Sequence, residues 1–274
     1  MSVRDRARLA RPKATREDRR FVTALARGLD ILRCFSRHDR ELGNNEIAAR
    51  TKLPRPTVSR LTFTLTQMGY LTYSPDTGRY ALSVGLLSFS NAYLGNLDVR
   101  NIARPHMQEL ADEIHTTVSL GAPDPSAQHM VYLEICQGAG QMFHMSMDVG
   151  SRVPHGWTAM GRAFLAALDA EAREERLAMY QKATPRAQWE EIEAGIRRAV
   201  RDYERYGFCL SVGEWNKDVW AVGAPLVSRQ GQRILAFNCS GPIFDITRQK
   251  IIQDVGPRLL ALRDRVASAV GGVF

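Results

Sequence analysis

Six consecutive residues carry the clearest chemistry in the chain: Arg55-Pro56-Thr57-Val58-Ser59-Arg60. Two arginines and two hydroxyls fall within about two helical turns. An Arg fork can bind guanine through two hydrogen bonds, while Thr and Ser reach phosphates or offer weaker base contacts. Enzyme chemistry leaves no comparable signal. G-x-S-x-G, H-E-x-x-H and Walker loops do not occur in the sequence. Cys34, Cys136, Cys209 and Cys239 are far apart and form no C-x-x-C, which argues against a disulfide framework or a structural zinc. The competing class is a redox or small-molecule enzyme using one of these thiols, which would need a nearby cation or helix start to activate it. Glu214 and Asp218 are too loosely spaced to indicate acid–base work.

The six residues meet DNA only if a helix presents them. Val22, Leu25, Leu29, Ile31, Leu32 and Phe35 recur near helical spacing and predict an amphipathic helix of about 16 residues. Gly43 and Asn44 signal a second helix start, with Ile47 and Ala48 facing inward. Thr51, Lys52 and Leu53 make a tight break. Pro54 then sits where a helix start tolerates its missing N–H. The third helix has Val58, Leu61, Leu65 and Met68 on its buried face and ends at Gly69. Two short strands, 70–73 and 79–82, flank a Ser-Pro-Asp-Thr-Gly turn. This order is a winged helix-turn-helix, in which the second helix of the pair enters the major groove. Arg55, Pro56, Thr57, Ser59 and Arg60 lie off the apolar face, free to meet DNA, and Arg79 on the wing could meet a phosphate or a minor groove.

Charge supports that placement. The chain of 274 residues has a formal charge of +8. Residues 1–95 hold 17 Lys+Arg and 8 Asp+Glu, while the remainder holds 20 and 21. A basic head of +9 therefore precedes a body of −1, the asymmetry expected of a nucleic-acid-binding end. Residues 1–20 are too polar to bury and read as a flexible basic arm, either laid on DNA or idle. The length fits two domains. No run of about 18 apolar residues occurs, and the Arg-rich N-terminus lacks the apolar stretch of a secretory signal, so a cytoplasmic protein without membrane contact is expected.

Residues 83–116 read as helical, with Leu87, Phe89 and Tyr93 packing on another chain or on the chain's own head. A second helical pattern runs through Val99, Ile102, Met107, Leu110 and Ile114, with Pro105 near a helix start or a kink. The body then alternates. Segments 117–121, 129–135, 219–227 and 234–239 read as strands, with a Pro-Asp-Pro turn after the first and weak alternation at 142–147. Segments 157–168, 189–206 and 245–270 read as helices. The expected class is α+β, with an antiparallel sheet flanked by helices.

These residues, in this order, resemble the IclR family of bacterial transcriptional regulators across residues 21–270. In the head the likeness rests on Leu25-Ala26-Arg27-Gly28-Leu29 with Ile31-Leu32, on residues 53–61, and on Gly69-Tyr70-Leu71. In the body it rests on Pro154, Thr158-Ala159-Met160-Gly161-Arg162, Tyr206-Gly207-Phe208, Ala221-Val222-Gly223-Ala224-Pro225 and Ser240-Gly241-Pro242. The Leu-Ala-Arg-Gly-Leu opening and the Ser74–Tyr80 wing are similar to the subgroup that controls aromatic-acid catabolism. The resemblance implies a winged head (21–83), a linker helix (84–98) and a GAF-like α/β effector-binding domain (99–274). It also implies a homodimer or homotetramer on a pseudo-palindromic operator, a small organic acid as effector, no catalysis and no cofactor. Pro56 and Ser59 depart from the small and larger residues that members often carry there.

The resemblance also places an effector site under three segments, 154–161, 211–221 and 238–241. Carried over by position, its contacts are Ala159 and Met160 through backbone N–H, Glu214, Ala221, Asn238 and Ser240. Free N–H groups at a helix start favour an anion. Trp157, Trp215 and Trp220 fall in these segments, with His155 among them and Met142 and His144 nearby. Aromatic walls with a few aimed polar groups describe a ligand pocket, although each Trp could equally be core. This reading favours an aromatic carboxylate. Members that bind smaller acids carry small polar residues at 238 and 240 and a Cys near 221, whereas this chain has Asn238 and Ala221.

Overall fold

The computed structural model describes residues 21–124, 128–141 and 147–274. The arm, Pro125 of the expected turn, and Met142, His144 and Met145 lie outside the described residues. Two compact units divide between Asn96 and Leu97.

The N-terminal unit begins with α1 (Thr23–Arg33), shorter than the 16 residues expected. Gly28 and Ile31 face inward, whereas Val22, Leu25 and Leu29 form a separate stripe that is exposed, Leu25 by 63%. Strand β1 (Leu42–Gly43) leads into α2 (Asn44–Thr51), where the Gly43 N–H donates to Glu46 Oε2 at 2.7 Å. Lys52 turns the chain with φ +58°. Pro54 caps α3 (Arg55–Gln67). At the end of α3, Gly69 (φ +75°) lets the Tyr70 N–H reach back to the Leu65 carbonyl, a six-to-one closure that a residue with a Cβ would strain. Val58, Thr62 and Leu65 are the buried face of α3. Met68, expected on that face, is exposed because it lies past the last turn as the C-cap. Strands β2 (Leu71–Ser74) and β3 (Arg79–Leu82) pair antiparallel, and β1 adds on the far side of β3. Ile31, Leu42, Ile47, Val58, Leu65 and Leu71 make one small core. Helix α4 (Leu87–Gly95) joins this unit through Phe89, whose ring lies 5.5 Å from that of Tyr70.

The C-terminal unit opens with α5 (Asp98–Ile114). Pro105 lies inside it and is exposed, rather than near its start. The sheet comprises β4 (Thr117–Pro123), β5 (His129–Gln137), β6 (Arg152–Pro154), β7 (Cys209–Val212), β8 (Val219–Val227) and β9 (Ile234–Pro242). It is antiparallel throughout, in the order β6-β5-β4-β9-β8-β7. Helices α6 (Ala159–Ala167), α7 (Ala170–Ala183) and α8 (Arg186–Tyr206) follow β6. The single helix expected over 245–270 is instead a helical turn at Arg248–Lys250, a π turn at Ile251–Val255, and α9 (Gly256–Ala269). Pro257 has no N–H to give the carbonyl four residues back, which accounts for the altered register just before it.

Helices α5 and α9 cover one face of the sheet, and α6 crosses the other. Two glycines let α6 lie close. A Cβ on Gly223 would stand 2.3 Å from the Ala159 carbonyl oxygen, and one on Gly121 would stand 2.4 Å from the Met160 sulfur. The start of α6 is thereby fixed against the sheet, which sets up the site below.

Candidate functional site

In the N-terminal unit the first turns of α3 form the exposed polar surface. Arg55, Pro56, Ser59 and Arg60 are exposed, and Thr57 is half-buried. Asn44, the first residue of α2, donates from Nδ2 to Ser59 Oγ at 2.5 Å and so fixes that hydroxyl. The head's arginines divide into two groups. Arg50 holds Asp39 through two hydrogen bonds of 2.6 and 2.8 Å. The Asp39 carboxyl is thereby held well below the usual carboxylate range, first by that Arg50 hydrogen bond. Arg79 is bound at 2.5 Å to Glu46 and also donates to the Glu41 carbonyl. Arg55 and Arg60 make no side-chain hydrogen bond or ion pair with the described residues. They present two uncommitted cations at a helix start, free to pair with phosphate or base edges.

In the C-terminal unit a narrow cleft, partly open to solvent, lies where α6 meets the sheet. Tyr132, Thr158, Ser211, Trp215, Asn216, Val219, Ala221, Asn238 and Ser240 line it. Four expected residues therefore share one cavity: Trp215, Ala221, Asn238 and Ser240. Thr158 caps α6, its Oγ accepting from the Gly161 N–H at 3.2 Å and donating to the Pro154 carbonyl at 2.8 Å. Ala159 and Met160 are the first two residues of α6 and are buried beside this wall. Helix geometry leaves their N–H groups without intrahelical acceptors. Ser211 is committed too, donating to the Trp157 carbonyl at 2.7 Å.

The remaining candidates do not reach the cavity wall. Trp157 is packed in the core. Trp220 precedes Ala221 on β8, so strand alternation points it to the opposite face, toward Gly241 and Thr116. His155 is fully buried, with Nδ1 against the Tyr180 hydroxyl and its ring 4.9 Å from that of Phe164. Burial holds its pKa well below the ordinary histidine value, so the ring is neutral. Glu214 is gripped by Arg162 and, at 2.8 Å, by Arg198. The Arg162 side chain is only 2% exposed and also donates to the Gly156 and Leu210 carbonyls. Glu214 thus neutralises a buried cation and anchors the loop that carries Trp215 and Asn216.

Thr158, Ser211, Asn216 and Val219 fall inside the three expected segments without having been singled out, and Tyr132 lies outside them. Thr158 had a signal, because a Thr preceding a helix start is a cap. Tyr132 had none. Strand β5 is buried on both faces, so no alternation tells which side each residue takes, and a bulge at Leu120/Gly121 shifts the register opposite it.

Among the described residues, no Lys, Arg, Asp or Glu lines the cavity. Tyr132, Asn238 and Ser240 are 4%, 3% and 4% exposed, and their side-chain polar groups find no hydrogen-bond partner among the described residues. Their polar atoms keep contact with the open space of the cleft rather than being sealed off unpaired, which places them to meet a polar guest. The thiols offer no reactive alternative. Burial pushes the Cys34 and Cys136 thiols up to about 11, and those of Cys209 and Cys239 higher still. No helix among the described residues is long and apolar enough to cross a membrane.

Comparison with known proteins agrees with this division. Residues 24–75 match the IclR helix-turn-helix domain, and residues 91–267 match the bacterial transcriptional regulator IclR C-terminal domain. A relative from Comamonas testosteroni, the HTH-type transcriptional regulator TsaQ1/TsaQ2, is 33% identical over 87% of this chain and 85% of its own length. The crystal structure of an IclR family transcriptional regulator from Brucella abortus superposes with a TM-score of 0.84 at 46% identity, covering 93% of this chain and 95% of that one. An IclR homologue from Microbacterium hydrocarbonoxydans, solved in complex with 4-hydroxybenzoate, shares the fold with a TM-score of 0.71 at 20% identity, over 90% of this chain and 99% of that one. With both domains matched in order along almost the whole chain, it belongs to the IclR family, whose members are transcriptional regulators and not enzymes.

Proposed function

We propose that the chain is an effector-responsive repressor or activator that reads a pseudo-palindromic operator as a homodimer, or as a homotetramer built from such dimers. Helix α3 enters the major groove, with Arg55 and Arg60 at base edges or phosphates and Thr57, Ser59 and Pro56 packed along the groove wall. Half-site centres then lie roughly 10 base pairs apart, or a multiple of that. The exposed stripe of Val22, Leu25 and Leu29 on α1, together with Leu87, Phe89 and Tyr93 on α4, supplies apolar surface for a second copy. Arg79, tied to Glu46, serves the wing more than the phosphate backbone. Residues 84–98 link the two domains, the basic arm of residues 1–20 follows the DNA backbone, and the protein works in the cytoplasm.

The C-terminal cavity takes a small aromatic carboxylate. The observation that carries this reading is the pair Asn238 and Ser240, which line the cleft beside the start of α6 and make no side-chain hydrogen bond to a described residue. Their donors and the α6 N–H groups suit a carboxylate without any cation, and Trp215 supplies an aromatic wall. The 4-hydroxybenzoate held by a protein of the same fold points the same way. Binding changes operator occupancy through its differential affinity for the two arrangements of the heads. A thermal-shift screen of aromatic and aliphatic acids tests the class. Aromatic acids should raise the melting temperature, and a uniform blank would overturn the sensor reading.

A further inference from the structure

Residues 213–218 form the loop between β7 and β8 and bring Trp215 and Asn216 to the cleft. Backbone bonds hold the ends of this loop. The Gly213 N–H donates to the Val219 carbonyl at 2.9 Å, and the Ile243 N–H donates to the Asp218 carbonyl at 2.9 Å. Between those ends, Glu214 ties the loop to α6 and α8 through Arg162 and Arg198.

The two arginines hold Glu214 in different ways. Arg162 takes Oε2 from inside, where it also donates to the Gly156 carbonyl at 2.9 Å and the Leu210 carbonyl at 3.2 Å. Gly195 on α8 leaves room for it, since a Cβ there would stand 2.1 Å from Arg162 Nη2. One buried guanidinium thus joins the segment before α6, strand β7 and the loop, which carry Thr158, Ser211, Trp215 and Asn216 of the cleft wall. Arg198, three residues beyond Gly195, takes Oε1 from outside through a single hydrogen bond of 2.8 Å, and its side chain is 52% exposed. Breaking the inner pair would strand a buried cation, which is strongly disfavoured. Breaking the outer pair leaves Arg162 compensated and puts Arg198 in water, at little cost. The outer pair is therefore the one that can open while the body stays folded.

Resting on the reading of this cleft as a ligand site, we propose that Arg198 is a positioning residue that latches the 213–218 loop over the cleft through Glu214. Release of the pair frees Trp215 and Asn216 to move off the wall and lets a guest leave. An exposed pair weighs little against global unfolding, but it weighs more on the opening of one six-residue loop, a local equilibrium of small free energy.

Hydrogen exchange of residues 213–218 and acrylamide quenching of tryptophan, both on the full chain without ligand, test the latch. Trp157, Trp189 and Trp220 are buried and Trp215 is half-buried, so quenching reports chiefly on Trp215. In Arg198→Ala the loop should exchange about two- to fivefold faster and quench more readily, with the urea midpoint little changed, and Arg198→Lys should restore both. Raising NaCl from about 0.05 to about 1 M should loosen the wild-type loop in the same way and leave Arg198→Ala unmoved, because an exposed pair is screened. Equal exchange in wild type and Arg198→Ala would overturn the proposal, as would faster exchange spread evenly over the body, the mark of a merely structural residue. 4-Hydroxybenzoate should dissociate about two- to fivefold faster from Arg198→Ala than from the wild type, and equal rates would likewise overturn the latch. Failure of the wild type to bind this acid would count instead against the aromatic-acid reading, with the exchange comparison still deciding the latch.

Discussion

The two ends of the chain expose opposite kinds of unsatisfied chemistry. On α3 the uncommitted groups are cations in water, Arg55 and Arg60. In the cavity they are neutral and almost wholly buried, Tyr132, Asn238 and Ser240. Each unit also contains arginines that are already engaged in ion pairs. Arg50 and Arg79 hold Asp39 and Glu46 in the head, while Arg162 and Arg198 hold Glu214 in the body. Residue type alone therefore does not mark a site, and the commitment of each side chain does. A long-range electrostatic partner is met by free charge at the surface. A small guest is met by neutral dipoles inside, where a free charge would be costly.

The largest expected effect tests whether Glu214 is structural. Glu214→Ala leaves the buried Arg162 uncompensated and should destabilise the body by about 3 kcal/mol, read by urea unfolding. All four tryptophans lie beyond residue 150, so their fluorescence follows the body alone. Loss of ligand affinity at unchanged stability would make Glu214 a contact instead.

Next, Arg60→Ala should weaken operator binding by about 1–3 kcal/mol and relax base choice at one position, with effector affinity unchanged. An unaltered footprint would break the assignment of α3.

The two units should also part in acid. The His155 pKa is depressed in the fold, so below about pH 6.5 the unfolded chain takes up a proton that the buried ring refuses. Body stability should fall as pH drops from there, and His155→Phe should flatten the decline in tryptophan fluorescence melts. In the head, the Asp39–Arg50 contribution is present above about pH 4 and is lost only as pH falls below that, because the Asp39 pKa is depressed. Coincident acid transitions would contradict the contrast. Smallest of all, Arg79→Ala removes an exposed pair and should cost the head at most about 1 kcal/mol, with little change in operator affinity.

Much of the head was legible because its punctuation is chemical. Pro54, Gly69 and the 74–78 turn bracket α3 and the wing, and each has a backbone reason to stand there. The long period of α8 and the apolar runs of β8 and β9 were equally plain. Helix α7 was not, because only Leu177 and Tyr180 of its residues are buried and no stripe forms. Strands β6 and β7 have three and four residues, too few for alternation to register. In the site, position along the chain located Trp215, Ala221, Asn238 and Ser240. It could not separate Trp220 from Trp215, since that depends on which face a doubly buried strand turns to the cavity. Nor could it reveal that Glu214 answers Arg162, a pairing across 52 residues made only by packing.

The most direct test of this division measures both affinities in two variants, Ser240→Ala and Arg60→Ala, using an aromatic acid that raises the wild-type melting temperature. Ser240→Ala should lose most of its affinity for the acid and keep wild-type affinity for the operator without ligand, while Arg60→Ala should do the reverse. Parallel loss of both affinities in either variant, or an unchanged acid affinity in Ser240→Ala, would contradict it.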